Sequence, residues 1–544
     1  MELTILLRQR RGDLNKMVAN TSKYNTTATS GGVVGSPTTF PPPNSRFPTF
    51  RILILGGYGN VGKYIVKLLL QYGPPHIEIV VAGRRLTKAN EFLEELKADF
   101  PSSSWTRIST MFVDASDSES LSKALDGQSA DEDCTKSDDN WIRRAGRIDM
   151  VLVASSTAKY TRQVVEAILD TPHVVDYLDV VYSQEKVEIL NELAHAIEES
   201  GRCFITDGGF HPGLPAALIR AILQGNYEVV NESVASAERA SFRPSMAMDR
   251  SRIPAFATVE SVVVGSVIRL DWNALHAELG LETMEEFAGE FQNMNATHYQ
   301  NGMWKTLSNT EMFTTIPRAM DFSSCATTAD QPDSPIPSFG TQCTIPMFLE
   351  ELRDLPTLID KEFQGGAVNS NEGCDKLNQQ LSDLGFYVGG LNWAVDWIIT
   401  PCVMLTMSLF PNSVAVKQWM GRFLFWGLLT FSSPPYGCLL QVEAKGTSAA
   451  EDASTAANLR LEKVLRVYHA DGYFLTAAPV VATLLQYLSE DTSESSEQSE
   501  VANANSRSIR KAGLWYQGAI VDPMKLLADM HKMGVTLEVQ HRFG

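Results

Sequence analysis

RILILGGYGNVG, residues Arg51 to Gly62, decides the fold class of this chain. Ile52 to Leu55 are β-favouring apolar residues that read as a buried strand, and glycines follow at once. Gly57, Gly59 and Gly62 have the G-x-G-x-x-G spacing, and Lys63 to Gln71 then read as a helix. In such a unit the first glycine allows a tight turn. The second lets a pyrophosphate approach the backbone, and the third lets helix and strand pack closely. Exposed N–H groups and the positive end of the helix would hold the phosphates. Gly57, Tyr58, Gly59, Asn60, Val61 and Gly62 are therefore the expected diphosphate cradle.

The next apolar run, Ile77 to Ala82, ends in Gly83-Arg84-Arg85. An NAD site has Asp or Glu at this place, about 20 residues beyond the glycines, to accept from the ribose hydroxyls. Here a glycine makes room and two guanidiniums can grip a 2′-phosphate in fork geometry, so NADP is expected over NAD.

Helix and strand go on alternating. A helix over Thr87 to Asp99 leads to a strand over Arg107 to Val113, ending at Asp114. That carboxylate either accepts from the adenine amino group or caps the helix that begins near Asp117. An acidic, polar stretch from Asp126 to Asp139 reads as a surface insertion before the fourth strand, Ile148 to Ala154. Ser155 and Ser156 follow that strand, and a helix runs from Tyr160 to Leu169. Strand five is His173 to Leu178, a helix spans about Gln184 to Glu199, and strand six is Arg202 to Thr206. This order predicts a parallel sheet covered on both faces, with ligands outside the carboxyl ends of its strands. Ser155, Asp179 and Asp207 fall on that side.

From Asp207 the pattern breaks into DGGFHPGLPAALIRAIL, an irregular turn with Pro215 near the start of the next helix. His211, in the middle of the turn, is either a proton donor beside a substrate or an ordinary hydrogen-bonded loop histidine.

GGYGNVGKYI, VVAGRR, the YLD of Tyr177 to Asp179 and DGGFHPGLPA together resemble the saccharopine dehydrogenase-like family. DFSSC from Asp321, MFLEELRDLP from Met347, HADGYFLTAAPVVATLLQYL from His469 and VDPMKLLADMHKMGV near the end agree, in the family's order. The resemblance implies an α/β architecture: a Rossmann-type NAD(P)-binding domain over 49–212 and an inserted α+β substrate or oligomerisation domain over 213–468. A segment over 469–544 would return to the first domain. It also implies an oxidoreductase that moves a hydride to or from a C–N or C–O centre of a small substrate. Candidate proton-handling residues are His211, Asp179 and Tyr473. The chain shows no arginine cluster suited to the several carboxylates of saccharopine itself, since Arg220, Arg239, Arg243, Arg250 and Arg252 are not drawn together by spacing.

Two other readings stand beside this one. Gly56, Gly59 and Gly62 fit the G-x-x-G-x-x-G of extended short-chain dehydrogenases, and Tyr182 and Lys186 make a Y-x-x-x-K pair. That class also has a serine roughly a dozen residues before the tyrosine, where Leu169 and Asp170 stand here, so the pair is otherwise a helix-surface pair. The third reading is a catalytically silent NADP-binding protein that docks on a membrane or partner through the segment Leu384 to Phe431. This segment holds Trp393, Trp397, Trp419 and Trp426. Polar residues and prolines break it, so it has no clean stretch of about 20 apolar residues. It reads as core or oligomer contact, or as a lipid-facing surface.

The chain has 544 residues, with 44% hydrophobic and 20% charged content, enough for more than one domain. Its formal net charge of −18 argues against a nucleic-acid surface and against general attraction to anionic membranes. Seven scattered cysteines form no C-x-x-C pair, so neither a zinc site nor a disulfide framework is expected, and no metal is. Reduced thiols point to an intracellular, cytoplasmic protein, and a homodimer is the expected assembly. Residues 1–48, rich in Ser, Thr, Gly and Pro, read as a disordered tail. Arg8, Arg10 and Arg11 fit an organelle transit peptide (mitochondrion or plastid) in part, while Glu2 and Asp13 count against it. The acidic, serine-rich run from Ser489 to Arg510 reads as a disordered loop.

Overall fold

The computed structural model describes residues 50–127, 146–155, 158–180, 182–224, 227–230, 241–244, 256–269, 271, 296–307, 318–323, 335–364, 381–410, 413–448, 459–489 and 508–543. The 1–48 tail, most of the acidic insertion, Ser156 and most of the 489–510 run lie outside them. Residues Thr49 to Gly544 form one compact unit.

The first half builds a parallel sheet. Its strands are β1 (Phe50–Leu55), β2 (Ile77–Gly83), β3 (Ile108–Phe112), β4 (Met150–Val153), β5 (Asp176–Asp179) and β6 (Cys203–Thr206). Between them lie α1 (Asn60–Tyr72), α2 (Leu86–Asp99), α3 (Ser118–Leu125), α4 (Thr161–Asp170) and α5 (Gln184–Glu199). Ile52 to Leu55 are buried on both faces, which is why the strand reads as an unbroken apolar run. Helix α1 turns Ile65, Val66, Leu68 and Leu69 onto the sheet. Strands β1 and β4 are neighbours, with Leu55 opposite Val153. The chain moves outward from β1 to β3 on one side and from β4 to β6 on the other, and a topological switch point opens between β1 and β4.

The second sheet is mixed. It contains β7 (Phe256–Arg269), β8 (Thr297–Gln300), β9 (Met303–Thr306), β10 (Arg318–Asp321), β11 (Thr341–Met347), β12 (Asp383–Gly389), β13 (Gly437–Ser448) and β14 (Arg460–His469). Strand β7 is antiparallel to β13 and parallel to β12. Helix α6 (Leu214–Gln224) packs against β7, β13 and β14 and is buried on nearly every side, which explains its lack of a polar face. Helix α7 (Leu355–Gln364) packs near β7.

Beyond β12, a π-helical turn (Val395–Ile399) runs into α8 (Thr400–Leu409), and α9 (Val414–Phe431) returns beside it as a helical hairpin. The last part of the chain visits both sheets. Helix α10 (Gly472–Tyr487) packs on α1, and β15 (Gly513–Tyr516) adds a seventh parallel strand beside β6. Helix α11 (Pro523–Lys532) packs on α10, and β16 (Thr536–Phe543) crosses back to pair with β14 in the mixed sheet. Buried Asp176 fixes this return: it accepts from the Tyr487 hydroxyl, the Arg510 guanidinium and the Cys203 amide. Among the described residues no helix is long and apolar enough to cross a membrane.

Candidate functional site

The glycine turn lies at the switch point. Gly56, with φ of +81°, is the residue in the left-handed region, so the tight turn falls there and not at Gly57. A Cβ on Gly56 would lie 2.6 Å from the Ser155 Cβ, so the turn sits hard against the end of β4. A Cβ on Gly62 would come within 2.2 Å of the Gly56 carbonyl oxygen, and this fixes the close approach of helix to turn. The special positions are thus Gly56, Gly59 and Gly62, with Gly57 in contact with Ile54 and Val81 behind them. Helix α1 starts after Gly59 with no side-chain cap and no acidic residue in its first turn. An uncapped helix N-terminus free of carboxylates, behind a turn with no room for a side chain at Gly56 or Gly62, fits a bound diphosphate.

The end of β2 is arranged differently from its sequence reading. Gly83 makes room for Tyr58: a Cβ there would lie 2.5 Å from the Tyr58 hydroxyl, which accepts from the Arg85 amide at 3.1 Å. Tyr58 thus ties the glycine turn to the Arg84-Arg85 corner. Both arginines are exposed, with no ion pair to their guanidiniums among the described residues. Asp114 bends back on itself and accepts from the amide and hydroxyl of Ser116, bonds that hold its carboxyl below the usual range. The helix cap is Asp117, whose side chain accepts from the Glu119 amide.

At the ends of β5 and β6 the structure buries a charge cluster. Lys186 Nζ lies 2.6 Å from Asp179 Oδ1 and 2.7 Å from Asp207 Oδ1, and all three side chains are almost inaccessible. Thr206 Oγ1 and the Asp207 amide also donate to Asp179. Burial works against the ammonium charge, but the two carboxylates outweigh it and raise the lysine's pKa. The reading of Tyr182 and Lys186 as a helix-surface pair therefore fails for Lys186, which α5 turns inward beside Val187 and Leu190. Its signal was present in the sequence: Asp179 and Asp207 end adjacent strands and need a buried cation between them. Tyr182 is partly buried against the core. A cavity of about 10 Å³, lined by Val153, Thr161, Tyr177, Asp179 and Lys186 among others, adjoins the cluster and has room for one water.

The 207–213 turn runs from this cluster to the mixed sheet. Asp207 adopts φ of +55°, and the turn is pinned from three distant segments. The Gly209 amide donates to Gln517 Oε1, the Gly213 amide donates to Glu351 Oε1, and a Cβ on Gly209 would sit 3.0 Å from Thr476 of α10. Gln517 and Glu351 escape sequence reading because nothing local marks them. Burial pushes the Glu351 carboxyl up to about 8. His211 stacks near Phe210 and reaches Phe386 of β12, with ring centroids 4.3 and 5.7 Å away. Its Nε2 is sealed from solvent with no hydrogen-bond partner among the described residues, and burial pushes its pKa down to about 4. It is therefore a neutral imidazole at physiological pH. Tyr473 lies in the first turn of α10, whose cap Asp471 also accepts from the Tyr64 hydroxyl of α1. The sites of Tyr473, Ser155 and His211 thus belong to elements that converge on the carboxyl ends of the parallel strands. Asp179, by contrast, is committed to Lys186 and Thr206.

A glycine turn at the switch point of a parallel sheet, in front of an uncapped helix, defines a Rossmann-type dinucleotide-binding protein. Residues 52–204 match the family described as the saccharopine dehydrogenase NADP binding domain. Among solved structures, the apo saccharopine dehydrogenase (L-Glu forming) of Saccharomyces cerevisiae aligns over 91% of this chain and 100% of its own. The identity is 12% and the TM-score 0.46. A short-chain dehydrogenase/reductase (wide type) of Veillonella parvula, solved in complex with NADP, aligns over 29% of this chain and 67% of its own, at 15% identity and a TM-score of 0.18. Pen from Bacillus thuringiensis aligns over 33% and 57%, at 16% identity and a TM-score of 0.22. Comparison with curated proteins finds no match.

Proposed function

We propose that the protein is an NADP-dependent oxidoreductase acting on a C–N or C–O centre of a small substrate. The observation that carries this reading is the Gly56–Gly62 turn, pressed against Ser155 at the switch point of a domain whose family is NADP-binding. The amides after β1 would hold the diphosphate, and Arg84 and Arg85 would take the 2′-phosphate. Tyr58 fixes the backbone of that corner through the Arg85 amide. When bound, the cofactor supplies or accepts a hydride.

The chain's own residues then shape the reaction space. The 207–213 turn closes it from the β6 side, and α10 closes it from the α1 side. His211 is neutral, so it offers a hydrogen bond or accepts a proton and is not a store of positive charge. Tyr473 is the second candidate for moving a proton. The Lys186 cluster holds the ends of β5 and β6 in place, and this favours the saccharopine dehydrogenase-like reading over one in which Lys186 activates Tyr182.

The test is a calorimetric titration of the wild type and of the Arg84→Ala/Arg85→Ala double variant with NADPH and NADH. Losing the 2′-phosphate contacts should weaken NADPH by about 2 kcal/mol, or roughly thirtyfold, and leave NADH unchanged. An equal fall for both nucleotides removes the proposed role of the arginines.

A further inference from the structure

The helical hairpin of α8 and α9 is apolar outside as well as inside. Its two arms pack on each other through Val395, Ile399 and Val403 of the first and Leu424 and Leu428 of the second. The fit is close enough that a Cβ on Gly427 would overlap the Ile399 Cδ1. Only sparse contacts join the arms to other described elements. The outward face carries Trp393, Trp397, Leu405, Phe410, Trp419 and Trp426, with Trp419 69% and Trp393 64% exposed. Four of the chain's nine tryptophans are in this hairpin and its immediate approach. Trp419, Arg422 and Trp426 follow one another at helical spacing on the exposed side of α9.

Its charge is equally distinctive. From Trp397 to Val442 the sequence has no Asp or Glu, although the chain holds 64 of them and has a net charge of −18. Lys417 and Arg422 are the only charged residues in that stretch. A water-exposed face of this kind is unstable without a cover. A second copy on a two-fold axis would set the patch against itself, with two basic residues facing two more and no carboxylate between Trp397 and Val442 to receive them. A bilayer surface meets both demands. Tryptophans settle at the headgroup level, acyl chains cover the leucine and phenylalanine side chains, and anionic headgroups pair with the lysine and arginine.

We propose that the hairpin is a monotopic membrane anchor, seated without spanning in the surface of an anionic bilayer and holding the dinucleotide-binding body beside it. The inference does not depend on the cofactor reading, because flotation is measured without nucleotide.

The test uses the full chain and two kinds of vesicle, phosphatidylcholine alone and phosphatidylcholine mixed with phosphatidylserine. Wild type should float with the mixed vesicles and much less with the neutral ones. The triple variant Trp397→Ser/Trp419→Ser/Trp426→Ser should lose on the order of tenfold or more in partitioning, because each of these large side chains is more than half exposed. The variant Lys417→Gln/Arg422→Gln should lose about fivefold per charge, on the mixed vesicles only. Circular dichroism of both variants should match wild type, since the altered side chains are at the surface. Wild type that stays in the aqueous fraction overturns the proposal, as does flotation equal in wild type and the tryptophan variant. So does a lipid-free dimer that the tryptophan variant converts to monomer, for the face would then belong to a second copy.

Discussion

Replacing Lys186 with Met puts the buried cluster under the most direct strain. The ammonium is the only cation within bonding distance of Asp179 and Asp207 among the described residues, at 2.6 and 2.7 Å. Methionine has a similar length but no charge, so two carboxylates would be left facing each other in a site closed to water. Breaking a buried pair by removing one partner costs about 3–5 kcal/mol, against a typical total stability of about 5–15 kcal/mol. The deficit should also depend on pH. Without Lys186 one carboxyl must stay protonated in the folded state, which raises its pKa above the unfolded value. Stability of the variant therefore falls as pH rises through that range, and the gap to wild type is wider at pH 8 than at pH 5. In wild type the raised pKa of Lys186 contributes stability that is present below the ordinary lysine value and lost at more alkaline pH. Urea unfolding followed by circular dichroism at both pH values measures each quantity. Adding Asp207→Asn to Lys186→Met should recover part of the loss, because the remaining Asp179 keeps its bonds from Thr206 and from the residue 207 amide. A loss below about 1 kcal/mol, or no recovery in the double variant, would refute the view that the three charges form one unit.

Two further perturbations are expected to act in known directions. His211 has its pKa pushed down from 6.5 to about 4 by burial, so the unfolded chain binds more protons between those values and stability is lost as pH falls through them. The loss should reach about 3 kcal/mol, and His211→Gln should flatten that limb in a pH series of thermal melts. Gly62→Ala places a Cβ 2.2 Å from the Gly56 carbonyl oxygen, and neither backbone can give way cheaply. It should cost about 1–3 kcal/mol of stability and weaken NADPH binding far more than Gly201→Ala, which strains a backbone at φ of +69° but meets nothing within 4 Å.

The parallel sheet was legible because its information is local. Apolar runs such as Ile52 to Leu55 and Ile77 to Ala82 can only be buried strands, and the glycines mark the turn that follows. Details of the same turn were less legible. Spacing alone gives Gly57 and Gly56 equal claims, and only the backbone dihedral assigns the tight turn to Gly56. Gly83 looked like room for a phosphate because the residue that fills the space, Tyr58, is distant in sequence. Lys186 was misread for a related reason: a lysine in the first turn of a helix is usually solvated, and only the pairing of β5 with β6 brings two carboxylates to it. The mixed sheet was the least legible part. Its long strands pair across large separations, as when β16 returns to β14, and such pairings leave no periodic trace in any one window.

The account stands on a diphosphate held by the amides between β1 and α1. The measurement that reaches this claim most directly is calorimetric titration of the wild-type chain with NADPH and, separately, NADH. Saturable binding of one nucleotide per chain, tighter for NADPH, is the predicted result; no heat of binding with either nucleotide would contradict it.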